Sequence, residues 1–369
     1  MTLGTLSKFP APYFGGKRHA APTVWAALGD VVHYVEPFCG TCAVLLERPH
    51  PCNRPYYSET VNDTDGFLIN ALRAIAYYPE ATAEAASWYV SEADVMARHL
   101  ALIAWAQEGH LDELKGTPTA CDPQRAGYWL YGLCAWIGSG WCSGRGPWVL
   151  DRATGRITRR PGTREPGVGT RLPHMGDDGR GVFHAGTREP GVEAAPAAPG
   201  VEAFHPMTMP ELRRWFVFLS ARLRHVRIVH GDWTRVLTKA VRETVDIRNP
   251  QKSQHCGIFL DPPYSQDVRA TQLYTHDGDA HGDLNAAVRA WCLANGTNRR
   301  YRIVLAGFAG EGHEELVRAG WWETEWFREG HLRGGMANRN PEGHQQARER
   351  LWMSPHCLRP APDAQLGLW

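Results

Sequence analysis

Asp261-Pro262-Pro263-Tyr264 closes a short apolar run, Cys256-Gly257-Ile258-Phe259-Leu260, that reads as a buried strand. Proline fixes φ and carries no N–H, so carbonyls in such a turn point where the backbone dictates. The Asp261 carboxylate and the Pro262 carbonyl can both accept hydrogen bonds from one NH2 group. The Tyr264 ring can stack on a flat heterocycle. Together they make a grip for an exocyclic amine on a planar base. A plain strand-ending turn, with Asp capping and Tyr packing, would use the same four residues, so the surrounding elements must decide.

Upstream, Pro12-Tyr13-Phe14-Gly15-Gly16-Lys17 is a turn of small residues with a cation behind it. A strand over 31–38 contains Glu36-Pro37-Phe38, followed by the tight turn Cys39-Gly40-Thr41-Cys42 and a helix from 43 to 47. Strand, glycine turn and helix bring backbone N–H groups close to a ligand. A second strand, around 56–61, ends in Asn62-Asp63, and an acid at that tip commonly holds a ribose diol. Helical periodicity runs from Gly66 to about Leu114, with Phe67, Leu68, Ala71, Leu72 and Ile75 on one face. Another helix is expected over 125–136.

From 152 to about 205 the chain is rich in Gly, Pro and Arg and repeats Gly-Thr-Arg-Glu-Pro-Gly-Val at 162–168 and 186–192. That reads as a long mobile loop or solvated linker. Order returns with a helix over 210–223 and a strand over 226–230 closed by Gly231-Asp232-Trp233. A strand at 301–305, a helix at 314–319 and an antiparallel pair, 322–327 with 350–353, complete the rhythm. The expected fold is a doubly wound, Rossmann-like α/β sheet with a mainly helical insertion. The expected domains are a catalytic one, 1–65 with 206–369, and a lobe, 66–205, whose flexible loop covers about 150–205.

With 43% hydrophobic residues in 369, the chain can bury a sizeable core. No apolar run spans a bilayer and the N-terminus lacks a signal-peptide core, so no membrane role and a cytoplasmic location are expected. Nine scattered cysteines suit a reducing compartment. Net charge of +1 neither supports nor excludes nucleic acid, since a DNA enzyme needs only a basic face. Five of the forty basic residues are lysine. Arginine forks onto phosphate or guanine, but a GC-rich genome produces the same bias.

In order and content these motifs resemble the D12 class, Dam-like family of DNA N6-adenine methyltransferases, particularly its phage and bacterial members. The matching order is Tyr13–Lys17, Glu36–Cys42, a lobe over roughly 66–205, then Asp261–Tyr264. A C-terminal Arg-Glu-Arg-hydrophobic-Trp-x-Ser-Pro-His, here 348–356, adds to it. The resemblance implies S-adenosylmethionine (SAM) as methyl donor and adenine in double-stranded DNA as acceptor, in a restriction-modification or phage setting. It places Tyr13, Phe14, Gly15, Gly16 and Lys17 at the methionine end of the donor. Glu36, Pro37, Phe38 and Gly40 belong to the donor turn, Asp63 to the ribose hydroxyls, and Asp232 with Trp233 to the donor adenine. Cys42 departs from the family's second glycine, and its Cβ can crowd the backbone's approach to the donor.

In this reading Asp261 and the Pro262 carbonyl hold the adenine N6–H bonds and fix the in-line approach, with Pro263 shaping the turn. Asp261 is placed to take the released proton, directly or through water. The base must leave the duplex, with Tyr264 as stacking platform. Arg145, Arg333 and Arg339 are candidate phosphate contacts, although a solvated surface charge is the commoner role for any one arginine. No metal is required. Cys39-x-x-Cys42 imitates a redox or zinc motif but has no second pair at zinc spacing. His255, His276, His281 and His313 are spaced as unrelated surface residues, and Asp277, Asp279 and Asp283 as a polar loop. Two other readings stay open: the same donor with another acceptor (cytosine N4, RNA or a protein amide), and a DNA-binding homologue without catalysis.

Overall fold

A computed structural model describes residues 7–13, 16–49, 57–88, 90–136, 140–142, 148–151, 156–159, 209–242, 255–263, 281–326 and 349–359. The chain divides into two compact units, Met1–Tyr13 with Gly66–Arg224 and Phe14–Asp65 with His225–Trp369.

The second unit begins with α1 (Ala21–Leu28), which carries proline in its first turn, where a missing N–H is harmless. It stops at Gly29, whose φ of +65° suits a C-terminal cap. β1 (His33–Glu36) is buried along its length. Pro37 lacks a ladder donor, so β1 is shorter than the expected 31–38. After the glycine turn, α2 (Ala43–Leu46) starts from Cys42 in the left-handed conformation. β2 (Ser58–Asp63) ends on Asn62-Asp63.

The first unit holds α3 (Gly66–Tyr77), α4 (Pro79–Ala86), α5 (Glu92–Gln107), α6 (His110–Gly116) and α7 (Pro123–Ala135). Ser91 and Asp122 cap the starts of α5 and α7 by accepting the N–H groups of Asp94 and Arg125. Asn70 clamps Asp122 from both sides, donating to its carbonyl and accepting its N–H. Buried Arg73 gathers the carbonyls of Leu114, Thr117 and Ala120 within 3.2 Å. A hairpin, β3 (Trp148–Asp151) with β4 (Arg156–Arg159), stands where the Gly/Pro/Arg-rich loop was expected to begin. The repeats at 162–168 and 186–192 lie outside the described residues. The helix α8 (Met209–Leu223) packs on α3 and α4, and Ser220 donates to the Ala76 carbonyl at 2.7 Å. It therefore sits with the helical unit, whereas the sequence reading grouped it with the catalytic domain. Its apolar face, Leu212, Trp215, Phe216, Leu219 and Leu223, is buried there.

One glycine sets the approach of α7 to α4. A Cβ on Gly127 would lie 2.4 Å from the Ala85 Cβ and 2.6 Å from its backbone carbon. Gly127→Val is expected to destabilise this unit by about 3 kcal/mol or more, read as a lowered midpoint in thermal unfolding followed by circular dichroism.

The second unit resumes with β5 (Arg227–His230), α9 (Lys239–Arg242), β6 (Cys256–Leu260), α10 (His281–Asn295), β7 (Tyr301–Phe308), α11 (Glu314–Arg318), β8 (Trp322–Glu325) and β9 (Glu349–Met353). Seven strands form one sheet in the order β5-β2-β1-β6-β7-β9-β8. β5, β2, β1, β6 and β7 run parallel, and β9 is antiparallel between β7 and β8. Helices cover both sides, as in Rossmann-like methyltransferases. Alternation explains the two layers. Cys256, Ile258 and Leu260 enter a core with Val288 and Cys292 of α10, Leu305 and Trp352. Gly257 faces the other way, where a Cβ would press on Val31 and Leu28 at the end of α1.

β1 leads outward to β2 and β5, and β6 leads outward to β7 on the opposite side. The order reverses between β1 and β6, and the carboxyl ends at such a reversal open a crevice. Val35 pairs with Ile258, so the segments that follow β1 and β6, from Pro37 and from Asp261, leave the sheet near each other.

Three helices escaped the sequence reading, α1, α9 and α10. Asp283 falls in α10 rather than a polar loop. Leu284, Val288, Trp291 and Cys292 already carried helical spacing there. His313, read as a surface residue, is fully buried against Trp352. Among the described residues no helix is long and apolar enough to cross a membrane.

Candidate active site

Several described candidate residues of the second unit lie at the carboxyl ends of β1 and β6. At the end of β6 the Asp261 carboxylate lies 3.2 Å from the Lys17 ammonium. Lys17 is held at both ends. Its carbonyl accepts the N–H groups of Ala20 and Ala21 ahead of α1, and its side chain is buried. Its ammonium also lies 3.8 Å from Glu349 at the start of β9. The glycine-lysine segment and the Asp-Pro-Pro segment thus meet directly. Gly16 precedes them with open space around it. Pro262 is buried, and the Pro263 carbonyl accepts from the Asn285 amide of α10 at 3.3 Å.

The turn after β1 is built from backbone bonds to β2. The Gly40 N–H donates to Asp63 Oδ2 at 2.9 Å, and the Cys39 N–H to the Asn62 carbonyl. Asp63 Oδ1 accepts the Asp65 N–H at 3.0 Å. Asn62, fully buried, donates to the carbonyls of Pro37 and Gly231 at 3.0 and 2.9 Å. One amide therefore ties together the tips of β1, β2 and β5. Gly40 has φ +46° and Cys42 φ +58°. Cys42 thus takes a conformation glycine favours, and its side chain is fully buried.

Beyond β5, Asp232 caps the 3-10 turn Trp233–Val236 by accepting the Thr234 N–H at 2.9 Å. Its side chain is otherwise exposed. Trp233 stacks with Phe38, with ring centroids 5.9 Å apart.

Several carboxyls lie close together at these strand ends. Glu36 is buried, with its Oε2 accepting from the Tyr34 hydroxyl. Burial pushes its carboxyl well above the usual range despite that bond, and the charges of Asp261 and Asp63 push it further. Asp63 is pushed up to about 6, chiefly by burial, against the lowering effect of the backbone N–H groups that bind it. Asp261 and Glu349 face the Lys17 ammonium, and Asp261 and Asp63 lie near enough to Glu36 to raise it further. The glycine N–H bound by an acid at the neighbouring strand tip fits a nucleoside-bearing cofactor such as SAM in backbone geometry. Burial likewise pushes the Cys39 thiol well up, with its hydrogen bond to Cys42 adding to the effect. That favours the protonated thiol over the thiolate a metal or redox site needs.

Tyr13 falls in the helical unit, where its ring lies 6.2 Å from Trp129. Phe14, Gly15, Tyr264, Arg145, Arg333 and Arg339 lie outside the described residues. Three residues absent from the sequence-based site now join it: Asn62, Asn285 and Glu349. Asn62 stood one position before a residue that was chosen, and Glu349 inside the C-terminal motif. Asn285 had no local signal, because its role depends on where α10 lands.

Residues 13–99 match the family model of D12 class N6 adenine-specific DNA methyltransferases. That stretch includes the glycine-lysine segment, the donor turn and Asn62-Asp63, and ends before Asp261. The family implies SAM-dependent methylation of adenine in DNA. No curated protein gives a significant match to the chain.

Proposed function

We propose that the chain transfers a methyl group from SAM to the N6 amine of an adenine extruded from double-stranded DNA, acting as a site-specific adenine methyltransferase. The contact between Lys17 and Asp261 carries this reading. It unites the first and last motifs at the mouth of the crevice, beside the turn that a nucleoside-bearing donor needs.

Bound there, SAM supplies an electrophilic methyl group on a sulfonium. Phe38 and Gly40 shape its turn, and Asp63 holds the ribose hydroxyls. Asp232 and Trp233 lie toward the donor adenine. Tyr13, Phe14 and the segment through Lys17 belong to the methionine end. Glu36, buried and bonded to the Tyr34 hydroxyl, supports the turn from beneath. On the acceptor side, Asp261 and the Pro262 carbonyl each accept one N6–H bond. This favours a more pyramidal nitrogen and fixes its line of approach, and such positioning lowers a barrier by several kcal/mol. The proton released from N6 goes to Asp261 or to water. Asn285 steadies the turn through the Pro263 carbonyl. Extruding the base costs a few kcal/mol, offset in part by stacking on Tyr264.

The domains follow the same reading: a catalytic domain carrying the sheet, and a helical lobe that selects the target, with Arg145 of the lobe and Arg333 and Arg339 of the late loop on phosphates. Incubating the chain with SAM labelled in its methyl group and unmethylated DNA, followed by nucleoside analysis, tests the proposal. N6-methyladenine is the expected product. Labelled N4-methylcytosine, or no labelled base, overturns it.

Asp63 makes donor binding depend on pH. With its carboxyl near 6, acidification protonates it and removes the charge offered to the donor. SAM affinity is expected to fall by up to about tenfold per pH unit below 6, measured by calorimetry from pH 8 to 5. The sign for the unliganded fold is opposite. A carboxyl raised on folding adds stability below its unfolded value of 3.8, and that stability is lost as pH rises through about 6.

A further inference from the structure

The C-terminal motif at 348–356 has so far supplied a strand and no chemistry. Its far end is structural: Ser354 Oγ accepts the Ile303 N–H and the Ser354 N–H donates to the Ile303 carbonyl. Its near end differs. Glu349 pairs in register with Phe308 at the end of β7, and its side chain is largely buried. Neighbouring Arg350 pairs with Glu325 at 2.7 Å. Glu349 instead faces the Lys17 ammonium, on whose other side lies Asp261.

A lysine is a point charge on a flexible four-carbon stem, so one partner alone leaves its ammonium free to swing. Here two anchors come from separate strands, β6 and β9, with β7 between them. The nearer contact is to Asp261 Oδ2. We propose that Glu349 is a positioning residue of the acceptor corner, holding the Lys17 ammonium against Asp261 Oδ2 and so fixing the orientation of the carboxylate offered to the target amine. This rests on the methyltransferase reading.

The test compares full-length Glu349→Gln and Glu349→Asp with wild type by two readouts. In steady-state methylation of DNA, Glu349→Gln lowers kcat about tenfold to a hundredfold. KM for SAM and for DNA stays within about twofold, and Glu349→Asp recovers most of the loss. The second readout needs no turnover. With five lysines in the chain, the 15Nζ spectrum is simple, and the Lys17 signal is identified by its absence in Lys17→Met. Glu349→Gln shifts or broadens that signal, and Glu349→Asp restores it. An unmoved Lys17 signal, or a Glu349→Gln enzyme with wild-type kcat, overturns the proposal. A wild-type protein that methylates no adenine overturns the functional reading instead, while the lysine spectrum still decides whether Glu349 holds Lys17.

Discussion

Methyl transfer by the Asp261→Asn variant falls about 10³-fold, within the usual range for losing a group that handles the reacting proton, while SAM affinity stays near wild type. The amide keeps the volume of the carboxylate, so the turn into Pro262 is undisturbed. Its single oxygen must choose a partner. Lys17 stands 3.2 Å away and offers only donors, so the oxygen turns toward it. The NH2 group then faces the N6 amine of the incoming base, donor against donor. The result is a site that binds SAM but repels the acceptor in the reactive pose. Single-turnover methylation with saturating SAM, paired with calorimetric SAM binding, checks both halves. Residual activity above about a tenth of wild type would remove Asp261 from the acceptor role. Asparagine is preferable to alanine, because emptying the position removes the nearer carboxylate from a largely buried lysine.

Asn62→Ala is expected to cost about 3 kcal/mol of stability and to abolish SAM binding. The fully buried amide donates to two carbonyls, Pro37 and Gly231. Losing it leaves both without that donor and opens a small cavity, at about 1–3 kcal/mol for each buried group left unsatisfied. The functional loss has a separate cause. Pro37 precedes Phe38 and Gly40, and Gly231 precedes Asp232 and Trp233, so releasing both tips separates the two sides of the donor turn. Urea unfolding followed by tryptophan fluorescence gives the stability change, and calorimetry gives the affinity. Donor binding that persists in a folded Asn62→Ala protein would show that these tips do not need the clasp.

Much of this architecture was legible beforehand because its signals are local. β6 is buried at every position, as its unbroken apolar run and the tight turn after it suggested. The strand–glycine–helix layout around Glu36–Leu46 was visible for the same reason, since turn chemistry and periodicity are properties of neighbouring residues. The misses share an opposite cause. α10 follows a polar stretch that drew attention away from its helical spacing. α8 was assigned by chain order, although its buried face is spent on α3 and α4. Nothing in the residues around His313 announces its burial, which comes from lying against Trp352 of a strand far along the chain.

Residue types alone specified the Asp-Pro-Pro turn, a glycine turn with an acid at the neighbouring strand tip, and an alternating sheet to hold them. Those choices are written in φ restrictions, hydrogen-bonding groups and apolar spacing within a few positions. Which charges meet was settled only by the sheet order. β6 beside β1 brings Asp261 within electrostatic reach of Glu36, and β9 inserted after β7 carries Glu349 to Lys17, more than three hundred positions away in the chain. Long-range pairing of this kind depends on the register and direction of strands, and no short window of sequence encodes it.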